Sequence, residues 1–236
     1  ITVNPTAQVN ATADQDLCEG DVTIPISFTT TNTDGITTYN WTNDNTFIGL
    51  SDNGIGDIPS FLATNNTDTA QIANIIVIPT YTNNGISCTG PQETFTLRIN
   101  PGAQVNAVDS QVLCNDDITT PIIFTTTNID GTTTYTWTND NTSIGLSSTG
   151  TGDIGAFTAV NTSTNTQVAT IAVTPTYDNN GVICIGQPEQ FTITVNPSAQ
   201  VDGLTPLNTI LCDGEFTPVY TFTTSNTDGI TSYNWT

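Results

Sequence analysis

Apolar and polar residues alternate over short stretches, and glycine, asparagine or aspartate closes each stretch. In "VTIPISFTT" (22–30) Val22, Ile24, Ile26 and Phe28 fall at every second position, which predicts a half-buried strand with those four on one face. "TNTDG" (31–35) supplies an Asp-Gly turn, and the strand after it carries Tyr39 and Trp41 on one face. Glycines punctuate "FIGLSDNGIGDIPSFLAT" (47–64), which reads as short strands and loops. "QIANIIVIPTYT" (71–82) is the most apolar run and predicts a central strand. "NNG" (83–85) signals a tight hairpin, and "ETFTLRIN" (93–100) alternates again as a last strand. Six or seven such strands in about 100 residues predict an all-β, immunoglobulin-like sandwich, with the tryptophan filling the space between two sheets.

The pattern then repeats. Pro5, Pro101 and Pro197 are spaced by 96 residues, as are Trp41 and Trp137, Cys18 and Cys114, Cys88 and Cys184, and Phe28 and Phe124. Cys212 and Trp235 follow their predecessors by 98, which places a two-residue insertion near "DGLTPLNT" (202–209). The expected organisation is the last strand of one repeat (1–5), two whole repeats (6–101 and 102–197) and the first part of another (198–236), a slice of a longer array. Expected core residues are Trp41, Trp137, Trp235, Phe28 and Phe124. Asn100-Pro101 and Asn196-Pro197 restrict the backbone between repeats, so successive beads are expected to swing little and the array to be a rod.

Composition narrows the chemistry. Among 236 residues there are 22 acidic side chains and one basic one, Arg98, for a net charge of -21, and there is no histidine or methionine. A polyanion cannot neutralise phosphates, so nucleic acid and anionic lipid are excluded as partners. Histidine-based catalysis and histidine metal sites are excluded as well. No apolar stretch is long enough for a spanning helix, so no membrane insertion is expected. No acid-base pair stands out, and an active site in every bead is implausible, so the chain is not expected to be an enzyme.

"YNWTNDNTFIGL", "GIGDIPSFLATN" and "IPTYTNNGISCTGPQETFTLRINP" together resemble the PKD-like, immunoglobulin-like repeats of giant cell-surface proteins of Bacteroidetes. Those proteins are associated with gliding motility and type IX secretion. The resemblance covers the whole chain and implies an extracellular stalk or filament segment of a large adhesin. Its partners would be neighbouring repeats, other copies in a filament, and surface glycans or a substrate at a distant tip. Two other readings stand beside it. Each bead could bind polysaccharide or protein, with Tyr39 and Trp41 as a platform, or strands of one chain could complete sandwiches of another. Solvent exposure of Trp41 and Trp137 separates the binding reading from the structural one.

Five cysteines fit the repeat, with the partner of Cys212 lying outside the chain. Two pairings keep the period. Pairing within a repeat, Cys18–Cys88 and Cys114–Cys184, is expected because small secreted domains usually staple themselves. The rival is a bridge between repeats such as Cys18–Cys184, which the opposite placement of the two cysteines in a simple sandwich favours. "DLCEGD" (16–21) and "CNDD" (114–117) make Asp16, Glu19, Asp21, Asp116 and Asp117 weak calcium candidates, against the simpler reading of a solvated acidic loop. Asp44 and Asp140, Asp57 and Asp153, and Asp34, Asp130 and Asp228 recur in register; "TNDN" reads as an Asx-turn. Thr69, in "DTA", is a candidate O-glycosylation site.

Overall fold

The computed structural model describes residues 3–205 and 208–236. The expected strand at 1–5 and the insertion near 202–209 therefore lie partly outside the described residues. The structure is all-β. The first sheet contains β1 (Gln15–Cys18), β2 (Ile36–Asn43), β3 (Asn53–Ile55), β4 (Gln71–Asn83), β5 (Ile86–Thr89) and β6 (Glu93–Asn100). Its order is β1-β6-β4-β2-β3, with β5 paired to β4. The second contains β7 (Gln111–Cys114), β8 (Thr132–Asn139), β9 (Thr149–Thr151), β10 (Gln167–Asn179), β11 (Val182–Ile185) and β12 (Glu189–Asn196), in the equivalent order β7-β12-β10-β8-β9 with β11 on β10. Among the described residues after 197, β13 (Gly203–Thr205) and β14 (Thr221–Thr223) form a pair.

Chain contacts group the residues into two compact units. One holds Ile1–Gln104, Thr126–Thr134 and Pro175–Gln187; the other holds Val105–Thr125, Tyr135–Thr174 and Pro188–Thr236. The first unit thus takes in one whole sandwich together with the loop and hairpin at one end of the second sheet.

The long strands follow from their residues. In β4 Ala73, Ile75, Val77 and Tyr81 face inward with the period of two that a pleated strand imposes. Asn84 (φ 48°) and Gly85 (φ 77°) then close the β4–β5 hairpin. A two-residue turn with positive φ at both positions is the type whose twist matches its strands, and "NNG" encodes it.

The segment 22–30 departs from expectation. It is no continuous strand: Ile26 and Phe28 are buried, yet Val22 and Ile24 are 66% and 69% exposed, and Thr23 is buried in their place. Pro25 has no N–H to give to a ladder, and the alternation changes phase across it. Isolated bridges tie this layer, Val22 to Leu62 and Ile26 to Ile58, with equivalents at Ile118–Thr158 and Ile122–Ile154. The inward Thr23 is tolerated because its Oγ1 donates to the Phe61 carbonyl (3.2 Å) and accepts from the Phe61 amide (2.9 Å).

Within the first unit this irregular layer packs Ile26, Phe28, Ile58 and Ala63 against Ile75, Val77, Phe95, Leu97 and Ile99 of the sheet. Trp41 lies in that core at 5% exposure, and its ring fills the place where a side chain at Gly54 would stand. A Cβ there would come within 2.2 Å of the indole. In the second unit Trp137 is 6% exposed, lies over Gly150 in the same manner, and shares a core with Phe124, Ile171 and Phe191.

Trp235 differs from the sequence expectation: it is 81% exposed and forms no core. In the first copy the Trp41 strand pairs with β3 and β4, whereas among the described residues Trp235 lies in no strand. Phe222 and Tyr233 stack at 5.4 Å there, and Leu204, Tyr220, Phe222 and Trp235 line an open apolar recess.

The indole N–H groups of Trp41 and Trp137 are buried with no acceptor among the described residues. The rings are therefore held by packing alone. Trp41→Ala is expected to cost about 3–5 kcal/mol, as for other large buried aromatics, while Trp41→Phe, which also removes the unsatisfied donor, should cost much less. Equilibrium denaturation of both variants measures the difference.

Candidate functional site at the repeat junction

The candidate site forms where β1 and β6 of the first sandwich meet the β10–β11 hairpin. All of its residues belong to the first compact unit. β1 adds to the sheet in parallel with β6, so Cys18 stands beside Asn100 at the strand end. β11 folds back on β10, so Cys184 stands beside Tyr177. Cys18 and Cys184 form a disulfide with Cα atoms 5.6 Å apart; Cys88, Cys114 and Cys212 are free thiols.

This corrects the expected pairings Cys18–Cys88 and Cys114–Cys184. Cys88 lies opposite Tyr81, and Cys18 lies at the end of β6 whose Ile99 faces Gln71. Gln71 and Tyr81 are ten residues apart on β4. At about 3.3 Å per residue the two sulfurs of a within-repeat pair sit roughly 33 Å apart along the sheet. A disulfide needs Cα atoms within about 7 Å.

A small core closes over the bond: Ala103, Tyr177 and Cys184 are buried together, with Cys18 and Val182 packed on them. Asn100 and Asn179 are both fully covered, and the Asn179 amide donates to Asn100 Oδ1 at 3.0 Å. Asn100 in turn donates to Asp16 Oδ1 (2.7 Å) and to the Leu17 carbonyl (3.2 Å). Buried amides without partners cost free energy, so this chain of bonds fixes the mutual position of β6, β1 and β10. Tyr177 donates to the Ile129 carbonyl at 2.7 Å, while the Ile129 amide donates to the Asp68 carbonyl at 2.9 Å and Thr127 donates to Asp68 Oδ1 at 2.7 Å. Burial raises the Tyr177 phenol above its ordinary pKa of 10.0, with the Asp130 carboxylate a smaller cause in the same direction.

The acidic residues are largely engaged with backbone and amide donors. Asp21 Oδ2 accepts from the Cys18 amide (2.9 Å) and Asp117 Oδ2 from the Cys114 amide (2.8 Å). Asp57 and Asp153 accept from the amides of Phe28 and Phe124, each at 2.9 Å, where the irregular layer lacks a ladder partner. Asp116 Oδ2 accepts from the Asn115 side chain at 2.8 Å, and the Glu19 amide donates to the Asn100 carbonyl at 2.9 Å. Asp16 makes an ion pair with Arg98 at 3.4 Å. Among the described residues no three His, Cys, Asp or Glu side chains converge as cation ligands. Thr69 is half-buried, in the loop whose Asp68 holds Thr127 and Ile129.

The Asx-turn at "TNDN" is made by Asn43, whose Oδ1 accepts from the Asn45 amide at 2.9 Å. Asp44 instead reaches the neighbouring strand and accepts from both the amide and the side chain of Asn74, each at 2.7 Å. Those bonds hold its carboxyl below the ordinary 3.8. Asp34 and Asp130 adopt positive φ (66° and 69°) beside Gly35 and Gly131, as the Asp-Gly turns require.

Asn100, Asn179, Ala103 and Tyr177 escape a reading of the sequence for chemistry, because none belongs to a reactive type. Their signal is periodic: Asn4, Asn100 and Asn196 recur, as do Asn83 and Asn179, and Tyr81 and Tyr177.

No family model and no curated protein matches the chain. Among solved structures it is similar to a two-domain fragment of human mucin-like protocadherin, at 10% identity over 81% of this chain and 98% of that one, with a TM-score of 0.32. It is similar to Drosophila N-cadherin EC1-4 at 14% identity, covering 81% of this chain and 51% of that one, with a TM-score of 0.34. Chicken VE-cadherin EC1-2 gives 14% identity, 77% and 95% coverage and a TM-score of 0.30. At such scores the fold rests on the strand order and cores described above. Among the described residues no helix is long and apolar enough to cross a membrane.

Breaking Cys18–Cys184, by reduction or by Cys184→Ser, should lower the stability of the first unit by about 2–4 kcal/mol, because the closed loop is long; denaturant midpoints with and without reductant measure it. Asp44 contributes stability that is complete above its unfolded pKa of 3.8 and is lost as pH falls through its lower folded value. Below pH 3.8 the midpoints of wild type and Asp44→Asn should converge.

Proposed function

We propose that the chain is a load-bearing segment of an extracellular stalk or filament, built from tandem sandwiches that are joined covalently. The observation that carries this reading is the Cys18–Cys184 bond with its buried Asn100–Asn179 partner pair, because it ties one repeat to the next. A disulfide that closes over buried groups fits an oxidising, extracellular setting. The burial of Trp41 and Trp137 argues against an aromatic binding platform in each bead. The charge of -21 favours keeping neighbouring fibres apart and soluble. The motif resemblance supports reading such a segment as part of a large surface adhesin of Bacteroidetes.

The open recess of Leu204, Tyr220, Phe222 and Trp235 favours a second reading, assembly by strand complementation, in which strands from elsewhere in the array or from another copy cover that face.

The test is made on cells carrying the parent protein. Antibodies raised against this chain should decorate a surface fibre, and deleting the segment in frame should shorten the fibre while adhesion persists. Loss of adhesion at unchanged display and fibre length would point instead to a ligand site within these repeats. Concentration-dependent association of the isolated chain, abolished by Trp235→Asp, would favour complementation.

A further inference from the structure

We propose that Cys114 and Cys88 are the two open halves of the same staple that Cys18 and Cys184 have closed, each meant for the matching cysteine of an adjoining repeat, so that tension passes along the array through disulfides and short backbone segments instead of through whole repeats. The bond pattern is argued from local geometry; only its mechanical purpose rests on the stalk reading.

Cys114 has the surroundings of Cys18. It ends a strand parallel to the last strand of its sheet, opposite Asn196 as Cys18 is opposite Asn100. Its amide donates to Asp117 Oδ2 as that of Cys18 donates to Asp21 Oδ2, and the next amide donates to the Asn196 carbonyl as Glu19 does to Asn100. Cys88 has the place of Cys184, opposite a tyrosine that is Tyr81 in one hairpin and Tyr177 in the other. What differs is cover: Cys184 is 2% exposed, whereas Cys114 is exposed and Cys88 half-buried. In the second unit the Thr227 amide donates to the Thr164 carbonyl at 3.2 Å, as the Ile129 amide donates to the Asp68 carbonyl at 2.9 Å in the first. Asp228 Oδ2 adds a bond from the Thr166 amide at 2.9 Å. The start of the third copy is thus already seated on the second by the contact that accompanies the closed staple, and a hairpin continuing that copy would bring its cysteine to Cys114.

Closing each staple takes an external disulfide as oxidant. One cysteine thiolate attacks it and expels a thiolate, and the second cysteine resolves the mixed disulfide and expels the other. Two cysteine thiols and one external disulfide become one protein disulfide and two external thiols, the two protons passing to the leaving thiolates.

The covalent consequence is specific. A bond between residues 166 apart removes the intervening chain from any load applied at the ends. Cys88 and Cys114, joined by β6, the Asn100-Pro101 link and β7, lie inside the loop that Cys18–Cys184 bypasses. Their own bonds would skip the repeats on either side. Two interleaved covalent paths result, each carried by alternate repeats.

Two experiments test this. In the first, a chain is extended by repeating residues 139–197 after Thr236, which completes the third copy because Trp235-Thr236 matches Trp137-Thr138. It is refolded with oxidised and reduced glutathione and mapped without reduction. The appended cysteine is expected on Cys114, with Cys18–Cys184 retained and Cys88 and Cys212 free. A bond from the appended cysteine to Cys212, or Cys114 left as a thiol, overturns the proposal. In the second, the present chain is stretched from its ends by single-molecule force. Reductant should lengthen the unravelled chain by roughly 560 Å, from 166 residues at about 3.4 Å each. An unchanged length overturns the load path even if the extended chain does not fold. Neither failure removes the stalk reading, which surface labelling tests separately.

Discussion

The bond between Cys18 and Cys184 sets the geometry of the junction because both sulfurs ride on strands and not on free loops. β1 is held by its parallel ladder to β6, and β11 by its ladder to β10. The bond therefore joins two sheets, and the polar groups it traps must be satisfied where they lie. Asn179 donates to Asn100 Oδ1, Asn100 donates to Asp16 and to the Leu17 carbonyl, and Tyr177 donates to the Ile129 carbonyl. Remove the cross-link and those buried amides lose the close approach that makes their bonds possible.

The sandwich that presents this junction is economical. One layer is a regular sheet with a dry inner face; the other is a pair of irregular segments interrupted by Pro25 and tied by isolated bridges. Such a layer leaves backbone amides without ladder partners, and the aspartates supply them. In that layer Asp57 takes the Phe28 amide, while Asp44 and Asp21 take the Asn74 and Cys18 amides on the sheet strands β4 and β1. Much of the negative charge is thus spent on local acceptors, which is a different use from binding cations. A single bulky residue, Trp41 over Gly54, fills the volume between the layers.

The third copy illustrates the same physics by contrast. Tyr220, Phe222 and Trp235 have the chemistry of core residues, yet they stand in solvent contact, since an apolar strand face gains nothing until another layer covers it. Its turn contacts at Thr227 and Asp228 form regardless, because the Thr164–Thr166 backbone they meet is already in place.

Strand periods, the "NNG" hairpins and the inward Trp41, Trp137, Phe28 and Phe124 were legible in the sequence, because each depends on alternation or on the φ preferences of a few neighbouring residues. The phase change at Pro25 was half legible: proline marks an interruption, but which residue turns inward depends on the Phe61 backbone that meets Thr23. The disulfide partners were legible only as two alternatives, of which the bridge between repeats, favoured by sandwich geometry, is the one that forms. Equal spacing permits pairing within or between repeats, and only the parallel addition of β1 to β6 places Cys18 at the end of the sheet remote from Cys88. The Asn100–Asn179 contact, likewise, joins residues brought together by the packing of one repeat on another, a non-local fact that no single repeat encodes. Local propensities therefore determined the elements and the composition of each core, while the choice of covalent partner was decided by tertiary structure, since a sulfur bonds whatever the folded sheets bring within reach.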